Sequence, residues 1–279
     1  PSRPDAVVLK DFSLVIEAGE TVALVGQSGS GKSTIIGLLE RFYDLISGEV
    51  LVDGVAVKDW NLRALRSQIG LVQQESVTFG VSILENIMMG DDSYDPDAEP
   101  KVLAEFEARA IECSKMANSH VFISKLPDGY RTLAGTSVSN TRLSGGQMQR
   151  VCIARQPPNR NHTATSALDT ESERIVQASL DVLLSKGGGG IQCTTIMIAH
   201  RLSTVTAADK IVVLDRGVIV EMGSHSQLMA KVDGLYKAMR QVHTLNPQRE
   251  TLLKNSLAAC FWYKPGTHPE NQREPHAHL

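Results

Sequence analysis

The chain has 279 residues, enough for one large α/β domain or two small ones. Its hydrophobic share of 42%, charged share of 21% and net charge of −3 are ordinary for a soluble globular protein, and they give no reason to expect nucleic acid or a strongly anionic membrane as partner. No window approaches the roughly 18 consecutive apolar residues of a spanning helix, so any membrane role is expected to come through a partner. Cys113, Cys152, Cys193 and Cys260 show no C-x-x-C spacing and read as reduced thiols in a cytosolic setting.

From the N-terminus, Ala6-Val7-Val8-Leu9 and Phe12-Ser13-Leu14-Val15-Ile16 read as paired strands, and Glu17-Ala18-Gly19-Glu20 as a turn. Thr21-Val22-Ala23-Leu24-Val25 is an apolar, β-branched run that predicts a buried strand. It runs directly into Gly26-Gln27-Ser28-Gly29-Ser30-Gly31-Lys32-Ser33, followed by Thr34, which fits the P-loop pattern G-x-x-x-x-G-K-[ST]. Residues 35–42 then take helical apolar spacing. Strand before and helix after is the context the motif needs. The glycines let successive N–H groups point inward at phosphate oxygens, and the helix start adds its partial positive charge. Lys32 is expected to reach the β/γ-phosphates of a nucleoside triphosphate, and the Ser33 hydroxyl to ligate Mg²⁺.

Beyond this helix, residues 47–57 predict a hairpin turning at Asp53-Gly54. Ile69-Gly70-Leu71-Val72 reads as a buried strand that ends at Gln73-Gln74-Glu75. From about 82 to 155 the pattern becomes helical: Ile83–Met89, then a polar loop, then a helix from Val102 to Cys113 and a turn at Pro127-Asp128-Gly129. Leu143-Ser144-Gly145-Gly146-Gln147 reads as a loop and a Ser144 cap before another helix running to Arg155. Thr170–Lys186 predicts an amphipathic helix, 187–190 a glycine linker, and Thr194–Ala199 a buried strand ending at His200. A hairpin over 211–220 and two short helices over 225–243 follow. The tail from 244 to 279 holds Pro247, Pro265, Pro269 and Pro275 with no sustained period, and reads as mostly disordered. His268, His276 and His278 in it lack metal-ligand spacing.

Taken together, the motifs resemble the nucleotide-binding domain of ABC transporters, and most closely that of P-glycoprotein-type multidrug exporters. Arg3-Pro4-Asp5 before a strand, the P-loop, Gln74-Glu75, Leu143–Gln147, Ser166-Ala167-Leu168-Asp169 and Ile198-Ala199-His200-Arg201-Leu202-Ser203 occur in family order over residues 1–243. The resemblance implies an α/β fold: a P-loop NTPase core of the ABC ATPase type, an antiparallel β subdomain, and an α-helical subdomain at about 75–155. It implies ATP and Mg²⁺, bound in a head-to-tail dimer where the P-loop of one domain faces the signature of a second. Residues 26–34 would then hold phosphates, and Ser144, Gly145, Gly146 and Gln147 would meet the γ-phosphate across the seam. Gln74 would ligate Mg²⁺ and touch the attacking water, His200 would stabilise developing charge, and Asp169 would sit at the dimer seam. Transmembrane domains would be the other partner. They would put this chain on the cytoplasmic face of a membrane.

One stretch departs from that family pattern. Between Arg155 and Ala164 family members place an apolar strand ending in Asp-Glu, the Mg²⁺-holding residue and the general base. Here Gln156-Pro157-Pro158-Asn159-Arg160-Asn161-His162-Thr163 stands instead, with His162 and Thr163 in the Asp and Glu positions. Loss of a positioned base costs about 10²–10⁴-fold in rate. Pro157-Pro158 cannot pair in a central strand, so a gap or rearrangement of the sheet is expected. Residues 136–142 are also shorter than the family's pre-signature loop, and the family's adenine-stacking aromatic lies just before Pro1. Three readings follow: a motor domain of an exporter with impaired hydrolysis, a non-hydrolysing ATP-binding partner of an intact domain, or a non-functional product of a truncated or mis-spliced gene.

Overall fold

The computed structural model describes residues 7–73, 77–91, 93–134, 143–155, 194–198, 205–245 and 259–263. The chain divides into two compact units, one formed by 1–71 with 192–279 and the other by 72–191.

The first unit is built on a sheet. Strand β1 (Thr21–Gly26) leads through the glycine-rich turn into helix α1 (Lys32–Leu39). The hairpin β2 (Leu51–Val52) and β3 (Val55–Ala56) turns at Asp53 and Gly54, whose φ values of 49° and 74° match the positive-φ turn that twisted strands favour. Helix α2 (Leu62–Gln68) starts at Asn61, whose side chain accepts from the Arg63 and Ala64 amides. Strands β5 (Thr194–Ile198), β6 (Lys210–Asp215) and β7 (Val218–Gly223) follow, then helices α7 (His225–Ala230) and α8 (Leu235–Leu245), and strand β8 (Ala259–Tyr263).

Within this unit the described strands lie in the order β8-β5-β1-β6-β7. β5 and β6 flank β1 in parallel, with Leu24 opposite Ile198 on one side and Val212 on the other. Parallel strands are covered on both faces and so carry near-continuous apolar runs. Val22, Ala23 and Leu24 of β1 and Ile211, Val212 and Val213 of β6 are fully buried, as that rule requires. Val22, Leu24, Ile196, Ile198, Val212 and Leu214 share one core with Ile35 and Ile36 of α1 and with Trp60.

Two sequence expectations are corrected in this unit. Residues 7–16 form no strand pair. Leu9, Phe12, Leu14 and Ile16 do alternate inward onto the core, but the backbone is held by scattered bonds, such as Lys10 N–H to the Gly217 carbonyl at 3.1 Å. The tail also does not read as unstructured throughout, because Ala259–Tyr263 pairs antiparallel with β5, Thr194 opposite Tyr263 and Met197 opposite Cys260. Ala-Cys-Phe-Trp-Tyr is a short apolar, aromatic run of high β-propensity, and it outweighs the prolines around it.

The second unit is helical. After β4 (Val72–Gln73) come α3 (Ile83–Met88), α4 (Pro100–Met116), α5 (His120–Ile123), a 3₁₀ turn at Gly129–Arg131, and α6 (Gly145–Ala154). Ser82 and Glu85 close a capping box on α3. α4 runs longer than the predicted 102–113 because Pro100 starts it at a position that needs no amide donor. Asn86 is its hub. With no exposure to solvent, it donates to the Phe79, Val81 and Ser82 carbonyls and accepts from the Phe79 amide and the Arg155 guanidinium. The predicted helix at 170–186 lies outside the described residues.

Candidate nucleotide site

The strand-turn-helix at 21–39 builds a glycine-rich cradle from backbone first. Gly29 and Gly31 have φ of 81° and 103°, conformations that L side chains rarely adopt. At Gly26, a Cβ would lie 2.2 Å from the Leu214 carbonyl oxygen of β6, so the turn can pass that strand only as glycine. Gly31, at the N-cap of α1, would bring a Cβ within 2.8 Å of Leu9. α1 has no side-chain cap, which leaves its first amides to other acceptors.

Lys32 completes the cradle. Its Nζ donates to the Gly26 and Gln27 carbonyls, both at 2.8 Å, and to Ser30 Oγ at 3.3 Å. The residue is 4% exposed, and burial pushes its ammonium down from 10.5 to about 8. Gln27, Ser28 and Gly29 form the exposed crest of the loop, Ser30 is buried beneath it, and Ser33 and Thr34 are half-buried at the helix start. All nine residues from 26 to 34 thus come together. Glycine backbone without Cβ, an uncapped helix start and a desolvated cation fit the phosphates of a nucleotide, and the Ser33 hydroxyl fits a ligand of its Mg²⁺.

The second predicted group lies on the helical unit. Ser144 caps α6: its Oγ accepts from the Gln147 amide at 3.2 Å, while Gln147 Oε1 accepts from the Ser144 amide at 2.8 Å. Gly145 is exposed and Gly146 is buried in the first turn. The motif therefore has a local role, closing its own helix start by a capping box, beside any role toward phosphate.

The glycine-rich cradle and the capped Leu-Ser-Gly-Gly-Gln helix lie within residues 9–161, which match the family described as ABC transporter. The chain belongs to the ABC transporter family. This ABC domain is 48% identical over 243 residues to ABC transporter B family member 17 of Arabidopsis thaliana, covering 85% of the chain and 18% of that protein. It is 48% identical over 256 residues to the ABC multidrug transporter MDR2 of Trichophyton interdigitale, covering 89% and 18%. Among solved structures it is similar to a bacterial Atm1-family ABC exporter with ATP bound, with TM-score 0.71 and 38% identity, covering 86% of this chain and 39% of that one. The chain thus spans about a fifth of the length of the two named transporters. Its fold is that of a P-loop NTPase of the ABC type.

Three predicted site residues of the ABC domain, Gln74, Asp169 and His200, lie outside the described residues, as do His162 and Thr163. Among the described residues no helix is long and apolar enough to cross a membrane. One contributor to the cradle escaped sequence reading. The Gly217 amide, in the β6–β7 turn, donates to the Ser30 carbonyl at 3.1 Å and so braces the loop from below. The signal available was Arg216-Gly217, a hairpin turn pair, but nothing in the sequence says which loop it touches.

Proposed function

We propose that this chain is the ATP-binding domain of an ABC exporter, coupling ATP binding to transport through transmembrane domains, with hydrolysis impaired. The observation that carries the reading is the intact cradle at 26–34 with its buried Lys32. On phosphate binding, Lys32 would exchange its two carbonyl acceptors for β/γ-phosphate oxygens, a stronger charge-assisted pairing. The amides of Gly29, Gly31 and Lys32 would donate to phosphate, and Ser33 would hold Mg²⁺ together with Gln74. Mg²⁺ supplies neutralisation of the charge on the β- and γ-phosphate oxygens.

The remaining assignments follow from the family. Ser144, Gly145, Gly146 and Gln147 would face the nucleotide of a second nucleotide-binding domain in a head-to-tail dimer, with Asp169 at the seam. His200 would stabilise charge at the γ-phosphate. Residues 156–163 offer His162 and Thr163 where a carboxylate pair would hold Mg²⁺ and take the proton from water, and Thr is no base. The domain would sit at the cytoplasmic face of a membrane, held there by its transmembrane partner.

The test is a paired assay on the purified chain: calorimetry of ATP–Mg²⁺ binding, and phosphate release at saturating ATP. Binding with turnover depressed about 10²–10⁴-fold below the usual enzyme range supports the proposal. Release near one per second or faster would show that another group serves as base. Lys32→Ala is expected to abolish binding, and unchanged affinity in that variant would remove the phosphate-site assignment.

A further inference from the structure

We infer that the β5 edge is a strand-accepting surface, and that residues 259–263 of the same chain fill it as a surrogate strand. β1, β5 and β6 are parallel neighbours, and all five residues of β5 are buried, Thr195 at 1% and Ile198 at 1% exposure. A strand buried on both faces must also have its outer row of N–H and C=O groups paired, since orphaned backbone groups there cost as much as lost hydrogen bonds. In the first unit, the described partner on that row is β8. β5 runs parallel to β1, while its other neighbour in the first unit runs antiparallel, a pairing that a segment added along the edge of a strand can make without a crossover helix.

The register has a chemical consequence, which rests on the proposed impairment of hydrolysis. Leu24 of β1 stands opposite Ile198, so the Ile198 end of β5 is the end at which β1 enters the phosphate loop. Met197 pairs with Cys260, which places Ala259, the first residue of β8, at that end. A parallel strand would deliver its last residue and following loop there; β8 delivers its start. From Ala259 to Tyr263 the sequence holds no Asp or Glu. β8 therefore restores the backbone pairing of β5 and carries no carboxylate of its own. Sheet completion and catalysis are separated, with β8 giving the first alone.

The test uses the full chain. In a Cys193→Ser, Met197→Cys background, mild oxidation is expected to join residue 197 to native Cys260, because directly paired antiparallel positions have Cα separations of about 4.5–5.5 Å, within disulfide range. The product should run as a monomer on a non-reducing gel, with the 197–260 linkage found by peptide mass mapping. A cross-linked dimer would show that the strand comes from a second copy, and absence of the 197–260 linkage would show that the tail is not on the edge; either overturns the inference. A second variant, Phe261→Pro, is expected to cut hydrogen-exchange protection of the β5 amides at least tenfold. Unchanged protection would also overturn it. Neither readout involves ATP turnover, so fast hydrolysis with the cross-link intact would refute the impairment and leave the strand assignment standing.

Discussion

The Gly217 amide lies 3.1 Å from the Ser30 carbonyl, tying the turn of a sheet-edge hairpin to the floor of the phosphate loop. Gly217 has φ of 84°, and a Cβ there would come within 1.9 Å of the Val8 carbonyl oxygen. Gly54 has a similar φ of 74° but nothing within 4 Å of its Cβ position. The pair separates backbone strain from steric cost. Gly54→Ala is expected to cost about 1–2 kcal/mol from φ alone and to leave ATP affinity unchanged. Gly217→Ala should cost more and weaken ATP binding several-fold, because the loop floor must shift. Thermal melts and calorimetry on both variants check this, and equal affinities would show that the brace does not shape the site.

The lowered titration of Lys32 is expected to make nucleotide binding sensitive to alkali. In the free protein its ammonium is lost as pH rises through about 8, whereas phosphate oxygens would hold the proton to higher pH. The complex therefore binds more protons than the free protein above that point. ATP affinity should fall as pH rises from about 8, by up to tenfold per unit. Without ligand the sign reverses for stability: between about 8 and 10.5 the unfolded chain holds the proton the native state has lost, so folding gains with rising pH. Titrations by calorimetry between about pH 7 and about pH 9 should show the bend in affinity, and a flat profile would contradict the burial of Lys32 as its cause.

Glu40, at the C-terminal end of α1, is 5% exposed, and burial raises its carboxyl to about 7 against the opposing pull of Arg66. A carboxyl raised in the native state favours folding while protonated, so this contribution is lost as pH climbs from about 4.5 through about 7. Glu40→Gln is neutral throughout. It is expected to stabilise the chain by about 1–3 kcal/mol above pH 7 and to have little effect near pH 5. Melting curves of both proteins at the two pH values decide it; equal shifts at both would exclude titration as the cause.

Asn86→Ala should destabilise the helical unit by about 2–4 kcal/mol, since it strands the Phe79 amide and carbonyl and one nitrogen of Arg155, while the Val81 and Ser82 carbonyls keep the Ala134 and Asn86 amides. Asn86→Asp is nearly isosteric but faces the same three carbonyls with an oxygen in place of the NH₂ donor. At neutral pH it is expected to be at least as damaging. Urea denaturation followed by circular dichroism would show it, and a mild Asp variant would mean that volume matters more at this position than donation.

Local chemistry was legible in the sequence where neighbours in the chain suffice. The glycine spacing of 26–31, the Asp53-Gly54 turn, the Ser144 cap and the apolar runs at 21–25, 194–198 and 211–214 each predict their own conformation, because the forces involved act within a few residues. The N-terminal segment shows where this reasoning stops. Phe12, Leu14 and Ile16 alternate onto the core as a strand's residues would, but the expected strand pair is absent and no ladder forms among the described residues there. Alternation reports burial, and pairing needs a partner at the right distance.

By itself, then, the sequence determined the glycine-rich turn at 26–31, the family order of its motifs and the apolar strands that bury the sheet. Tertiary structure alone decided that Gly217 braces Ser30, that burial lowers Lys32 and raises Glu40, and that residues 259–263 pair with β5, roughly sixty residues away in the chain. These all depend on contacts between distant segments. Desolvation and strand pairing are set by what folding brings alongside a residue, and the residue's own neighbours in sequence carry no record of it.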